Sequence, residues 1–193
     1  GMKDIATLAA AGLAEALDLS SAGRLLDVGG GPGTFAIEFC RLNPDLRVVV
    51  FDLPEVIEEI TTAEIKEAGL EEKIFCQPGD YMQDELGSGF DLVLVSNIIH
   101  SLGEAGNRRL VENCHAATTA GGRIAVKDFL LDENRVKPEF SSMFAVNMLT
   151  GTAEGNCYAV AEVKGWLADA GYEKTEYVEL SPRDRLLIAR KPA

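Results

Sequence analysis

The stretch Leu25-Leu26-Asp27-Val28-Gly29-Gly30-Gly31-Pro32-Gly33 is an apolar run that breaks into glycines just before a helix-forming segment. Glycines at that point let a ligand approach the backbone ahead of a helix N-terminus, which is the chemistry of a nucleotide-like site. The dinucleotide fingerprint G-x-G-x-x-G would need glycine where Thr34 stands, whereas Gly29, Gly31 and Gly33 fit G-x-G-x-G, so pyrophosphate binding is disfavoured. Asp52 closes a second apolar run, Val48-Val49-Val50-Phe51, where a carboxylate accepts hydrogen bonds from vicinal ribose hydroxyls. That acid is common to NAD and adenosylmethionine sites. Asp80, in Gly79-Asp80-Tyr81, follows a third run and suits an adenine amino group, with Tyr81 packing on the ring, which favours adenosylmethionine. Taken singly, the glycines have the plain alternative of a tight turn and each acid that of a solvated turn residue. Their placement at successive strand ends argues for one site.

The elements that must position these residues follow from apolar periodicity. Helices are expected over residues 3–18, 34–42, 54–68, 104–118 and 159–170, and strands over 24–28, 47–51, 73–77, 90–96 and 122–130. Strands alternating with helices imply right-handed crossovers and a mostly parallel sheet covered on both faces. The end of the chain differs: strands over 173–180 and 185–190 are separated by Ser181-Pro182-Arg183-Asp184, room only for a hairpin. The expected fold is therefore α/β, Rossmann-like, with seven strands, one of them antiparallel. Ligands in such sheets bind outside the carboxyl ends of the strands.

A chain of 193 residues with 47% hydrophobic and 25% charged residues fits one domain, residues 1–193, with a packed core. Its net charge of −13 would repel a phosphate backbone, so nucleic acid is not expected as a partner. No apolar run approaches the ~20 residues of a membrane span and the N-terminus lacks signal-peptide order, so the protein reads as cytoplasmic, with no membrane partner. Cys40, Cys76, Cys114 and Cys157 are scattered without a Cys-x-x-Cys pair, and with two histidines a metal site is not expected. They read as reduced thiols, mostly in the core. Gly1 before Met2 reads as the remnant of a cleaved tag.

The sequence resembles the class I adenosylmethionine-dependent methyltransferases, and within them the small-molecule O-methyltransferases of the plant caffeate and bacterial polyketide type. The resemblance covers nearly the whole chain. It is carried by LLDVGGGPG at 25–33, FDLP at 51–54, GDY at 79–81, LVSNIIHSL at 94–102, GGRIAVKDFLL at 121–131 and NML at 147–149. It implies adenosylmethionine as cofactor, held by Asp27, Gly29, Gly31, Gly33, Asp52, Leu53, Asp80 and Tyr81, with Ser96 where the family often has a basic contact. It also implies that His100 is the base that takes the proton from the acceptor hydroxyl, although Ser101-Leu102 replaces the usual Asp-Trp after it. Imidazole suits that task, with an unperturbed pKa of about 6.5. A strand-end histidine bonded to backbone is the plain alternative, and His115, within a helix, reads as packed or surface.

Two acids assist the base in plant members. The first aligns with Asp128, one methylene shorter than the usual Glu; the second aligns with Glu154 counted forward from Gly151, or with Cys157 counted back from Glu162. Met143, Phe144, Asn147 and Met148 fall where the family lines its acceptor pocket, and would otherwise read as one face of a helix. The implied reaction is methyl transfer to a hydroxyl oxygen of a small, aromatic acceptor. The rival readings are a non-catalytic adenosylmethionine-binding module and an NAD-dependent oxidoreductase. The family usually adds an N-terminal helical, winged-helix-like domain that dimerises and closes the acceptor pocket. Residues 1–193 correspond to the catalytic domain without it, and a homodimer is left open.

Overall fold

The computed structural model describes the backbone of residues 2–193 and the side chains of residues 9–193. Gly1, with its reading as a tag remnant, lies outside the described residues. Along the chain run α1 (Met2–Leu17), β1 (Arg24–Val28), α2 (Thr34–Leu42), β2 (Arg47–Asp52), α3 (Pro54–Val56) and α4 (Thr62–Ala68). These are followed by β3 (Ile74–Pro78), β4 (Phe90–Ser96), α5 (Glu104–Ala117), β5 (Thr118–Asp128), α6 (Glu139–Gly151), α7 (Val160–Asp169), β6 (Glu173–Glu179) and β7 (Arg185–Arg190).

The seven strands form one sheet in the order β3-β2-β1-β4-β5-β7-β6. β1 to β5 pair in parallel, while β7 lies antiparallel between β5 and β6. The hairpin strand thus enters the sheet rather than its edge, and its run Leu186-Leu187-Ile188-Ala189 is buried on both faces. On one face Leu25, Val48, Val50, Leu92 and Leu94 meet Leu13 and Leu17 of α1 and Phe39 of α2. On the other, Leu26, Val93, Val95 and Val126 meet Leu110 and Val111 of α5 and Trp166 and Leu167 of α7. Alternation along each strand sends side chains to the two layers in turn. The chain leaves β1 towards β2 and β3 on one side and β4 on the other, so the strand order reverses at β1 and opens a crevice at its carboxyl end.

Differences from the sequence expectation are local. The helix expected over 54–68 is present but is interrupted by a π-helical turn, Ile57–Thr61, that rotates Thr61 inward. β5 begins at Thr118 rather than 122, because Thr118 pairs with Phe90 across an irregularity in the ladder. Gly121 and Gly122 inside it suggest a turn. α6 carries no clean periodicity: Phe140, Met143, Val146 and Leu149 are exposed and only Ser141 and Ala145 are buried.

The position of β7 inside the sheet is testable. Leu187 is fully buried, so Leu187→Ala should destabilise by about 2–5 kcal/mol, measured by urea unfolding. A loss below about 0.5 kcal/mol, the scale of a surface substitution, would contradict that placement.

Candidate active site

The carboxyl ends of β1, β2 and β3 converge on the glycine turn. Gly29 has φ +63°, and a Cβ there would stand 2.3 Å from Cδ1 of Ile98, so the turn and the segment after β4 touch through a missing side chain. Gly30 has an ordinary φ but equally little room: a Cβ would lie 2.7 Å from Oδ2 of Asp27 and 2.8 Å from Val50. Asp52 anchors the turn, its Oδ2 accepting the Gly31 N–H at 2.7 Å while Oδ1 accepts that of Leu53 at 2.7 Å. A carboxylate has lone pairs left after two such bonds. From α3–α4, the buried Thr61 hydroxyl donates to the Gly31 carbonyl at 2.6 Å.

Asp27 is buried beneath this turn and its Oδ2 has no hydrogen-bond partner. Burial, and secondarily the charge of Asp52, push its carboxyl up to about 7. After β3, Asp80 organises a turn, Oδ1 accepting the Met82 N–H at 2.8 Å and Oδ2 the Gln83 side-chain amide at 2.7 Å. Tyr81 leans back to the glycine turn, its Cε1 3.8 Å from where a Gly29 Cβ would be.

Across the crevice, Nδ1 of His100 lies 2.8 Å from Oδ1 of Asp128. The Phe129 N–H also donates to that oxygen at 2.8 Å, whereas Oδ2 of the buried Asp128 is unpartnered. A carboxylate only accepts, so Nδ1 is the donor in this bond and, in the neutral ring, Nε2 is the nitrogen with a free lone pair. The ring is gripped by Phe129, stacked at 5.9 Å, and by Phe144 of α6, edge-on at 5.2 Å. Its backbone is held too: the Asn156 N–H donates to the His100 carbonyl at 2.9 Å, and Gly155 leaves room for that approach, since its Cβ would be 2.7 Å from the same oxygen.

Of the two residues that align with a second acid, Glu154 is not brought to the pair. It is exposed and lies against Gly103, and it makes no hydrogen bond to His100 or Asp128. The tie of this segment to His100 is made by Asn156, while the Gly155 N–H donates to Thr152 Oγ1. Cys157 turns inward instead, buried with Leu131, Ala145, Phe129 and Phe144. Burial first, and then the charge of Asp128, push its thiol up to about 12. A parallel bridge between Leu131 and Ala159 carries the segment alongside the continuation of β5. Of the expected acceptor-lining residues, Phe144 reaches His100, Met148 is half-buried, and Met143 and Asn147 face outward. Ser96 is buried with its hydroxyl unpartnered, and Leu53 is partly exposed at the crevice.

Thr61 joins the site without having been singled out in the sequence, and Gly30, Ile98 and Phe129, although inside the motifs quoted above, were given no role there. A threonine on the inner side of a helix just after FDLP was the available signal for the first. The other three are visible only as contacts.

The sequence matches the family described as O-methyltransferase domain over residues 1–173. The chain belongs to that family. This O-methyltransferase domain is 37% identical over 181 residues to 3-hydroxy-5-methyl-1-naphthoate 3-O-methyltransferase of Streptomyces sahachiroi, covering 94% of this chain and 52% of that protein. It is 34% identical over 180 residues to the tetracenomycin polyketide synthesis 8-O-methyl transferase of Streptomyces glaucescens, covering 93% and 52%. The crystal structure of human N-acetylserotonin methyltransferase in complex with SAM superposes with a TM-score of 0.87 at 28% identity, covering 100% of this chain and 54% of that one. The domain thus spans about half the length of the curated relatives it matches.

The carboxyl of Asp27 gives the site a pH signature. Its ordinary value is 3.8 and its folded value about 7. Between those values the folded chain keeps a proton that the unfolded chain has released, so stability falls as pH rises through this window and the full penalty stands above it. Asp27→Asn should flatten that part of the profile, narrowing the change from about pH 4 to pH 8 by on the order of 3–4 kcal/mol in urea unfolding. Parallel profiles for the two proteins would show that Asp27 is not desolvated as described.

Proposed function

We propose that this chain binds adenosylmethionine across the carboxyl ends of β1, β2 and β3 and serves methyl transfer to a hydroxyl oxygen of a small aromatic molecule, with His100 as general base. The observation that carries this reading is the hydrogen bond between His100 and Asp128, next to a glycine turn that touches the His100 segment through Ile98. The residues fit the cofactor. The backbone at Gly31 has open space for a ligand to approach, Asp52 retains acceptor capacity for ribose hydroxyls, and the Asp27 carboxyl, with Oδ2 unpartnered, suits a cationic ligand nearby. When bound, adenosylmethionine supplies a methyl group activated by its positively charged sulfur.

The protein's own part is positioning and one proton. Asp128 fixes the imidazole by holding Nδ1–H, Phe129 and Phe144 hold the ring plane, and Nε2 is left to take the acceptor's hydroxyl proton. As the proton arrives, Asp128 stabilises the imidazolium. Orientation of two reactants is worth about 7–11 kcal/mol and a general base about 100- to 10,000-fold in rate. The aromatic wall of Phe129, Phe140 and Phe144 supports a flat acceptor, as do relatives named for a hydroxynaphthoate and a polyketide. The comparisons favour neither a cofactor-binding module without activity nor an NAD-dependent oxidoreductase.

Two variants separate the cofactor and proton roles. Asp52→Ala removes charge-assisted acceptance, so calorimetric affinity for S-adenosylhomocysteine should fall about tenfold or more; unchanged affinity would remove Asp52 from the ribose site. His100→Gln should leave that affinity unchanged within about twofold while turnover of a phenol that the native chain methylates falls about 100-fold or more. Full turnover in that variant would rule out the base.

A further inference from the structure

A line of rings leads away from His100 and ends at a cation. Phe144 stands 5.2 Å from the imidazole, Phe140 is stacked on Phe144 at 5.9 Å with 11° between planes, and the Arg183 guanidinium lies 5.0 Å from the Phe140 centroid. Arg183 sits in the short turn between β6 and β7, which is fixed by its own hydrogen bonds. Ser181 Oγ accepts the backbone N–H groups of Arg183 and Asp184 at 3.2 and 3.0 Å, and its hydroxyl donates to Asp184 Oδ2 at 2.9 Å.

The neighbouring carboxylate does not neutralise Arg183. Asp184 Oδ1 is taken by Lys127 Nζ at 2.5 Å and Oδ2 by Ser181. Arg41, Arg108 and Arg135 each hold an acid, whereas Arg183 forms no ion pair among the described residues and rests only on Phe140. Phe140 lies in the first turn of α6, whose N-terminal N–H groups receive no side-chain cap from Pro138; the exposed Glu139 is the acid of that turn.

We propose that Arg183 is the subsite for an anionic substituent of the acceptor, so that the preferred acceptor is a flat hydroxyarene bearing a carboxylate at the end opposite its hydroxyl. This rests on reading the crevice beside His100 as the acceptor site. A guanidinium stacked on an aromatic ring keeps its planar fork of donors free for bidentate binding of a carboxylate. A ring system lying along Phe144 with its hydroxyl at His100 directs its far end towards Phe140 and Arg183. The assignment gives this turn of the β6–β7 hairpin a part in choosing the acceptor.

The test is calorimetry with 6-hydroxy-2-naphthoate and 2-naphthol as probes, in the presence of saturating S-adenosylhomocysteine. The native chain should bind the carboxylate about tenfold more tightly than the naphthol. In Arg183→Met that ratio should collapse towards one, and Arg183→Lys should restore part of it. Arg183 is exposed on a turn, so the variants are expected to fold, which S-adenosylhomocysteine affinity checks independently. A native ratio near one, binding of neither probe, or a ratio unchanged in Arg183→Met overturns the assignment while leaving the cofactor site standing. Failure of the native chain to bind S-adenosylhomocysteine overturns the underlying reading and the assignment with it.

Discussion

The hydrogen bond between His100 and Asp128 joins residues 28 apart in sequence, and it exists because β4 and β5 run parallel in one register, Ser96 beside Lys127. Parallel neighbours need a crossover, and α5 supplies it, burying Leu110, Val111 and Cys114 against the sheet. Shifting that register by one residue would turn Asp128 to the other face and leave His100 without its orienting acid. The same register is held from the far side by β7, whose Arg185 pairs with Asp128 in the ladder. The antiparallel hairpin at the end of the chain is therefore part of what keeps His100 and Asp128 together.

A second constraint acts on the other wall of the crevice. The glycine turn is packed so tightly on Asp27, Val50 and Ile98 that side chains at Gly29 or Gly30 have no room. Beneath it a carboxyl is kept from water without a partner for one oxygen, an arrangement that costs stability and is typical of functional sites. Thr61 and Asp52 offset part of that cost by fixing Gly31 from two sides. The crevice is thus rigid where a nucleoside would lie.

Much of this was legible in the sequence because strand ends and glycines mark it locally. The runs ending at Val28, Asp52 and Ser96 place the residues around the crevice without any knowledge of packing, and the hairpin at Ser181–Asp184 announces the antiparallel strand. What was not legible depends on contacts between distant segments. Counting could not tell that Glu154 faces outward and Cys157 inward, because that depends on the contact of Gly155 and Asn156 with the His100 carbonyl. α6 lacks a periodic stripe, since one side of it meets Phe129 and His100 while Met143, Val146 and Leu149 remain exposed. The inward rotation of Thr61 follows from a π turn that no residue type specifies.

In the proposed function the glycine turn and the His100–Asp128 pair are two walls of one reaction site. A crystal structure of this chain with S-adenosylhomocysteine tests it most directly. Ribose hydroxyls are expected on Asp52, the adenine beside Asp80 and Tyr81, and the sulfur facing the crevice towards Nε2 of His100, with the Nδ1 bond to Asp128 intact. A ligand seated elsewhere, or a sulfur turned away from an imidazole that has left Asp128, would contradict it.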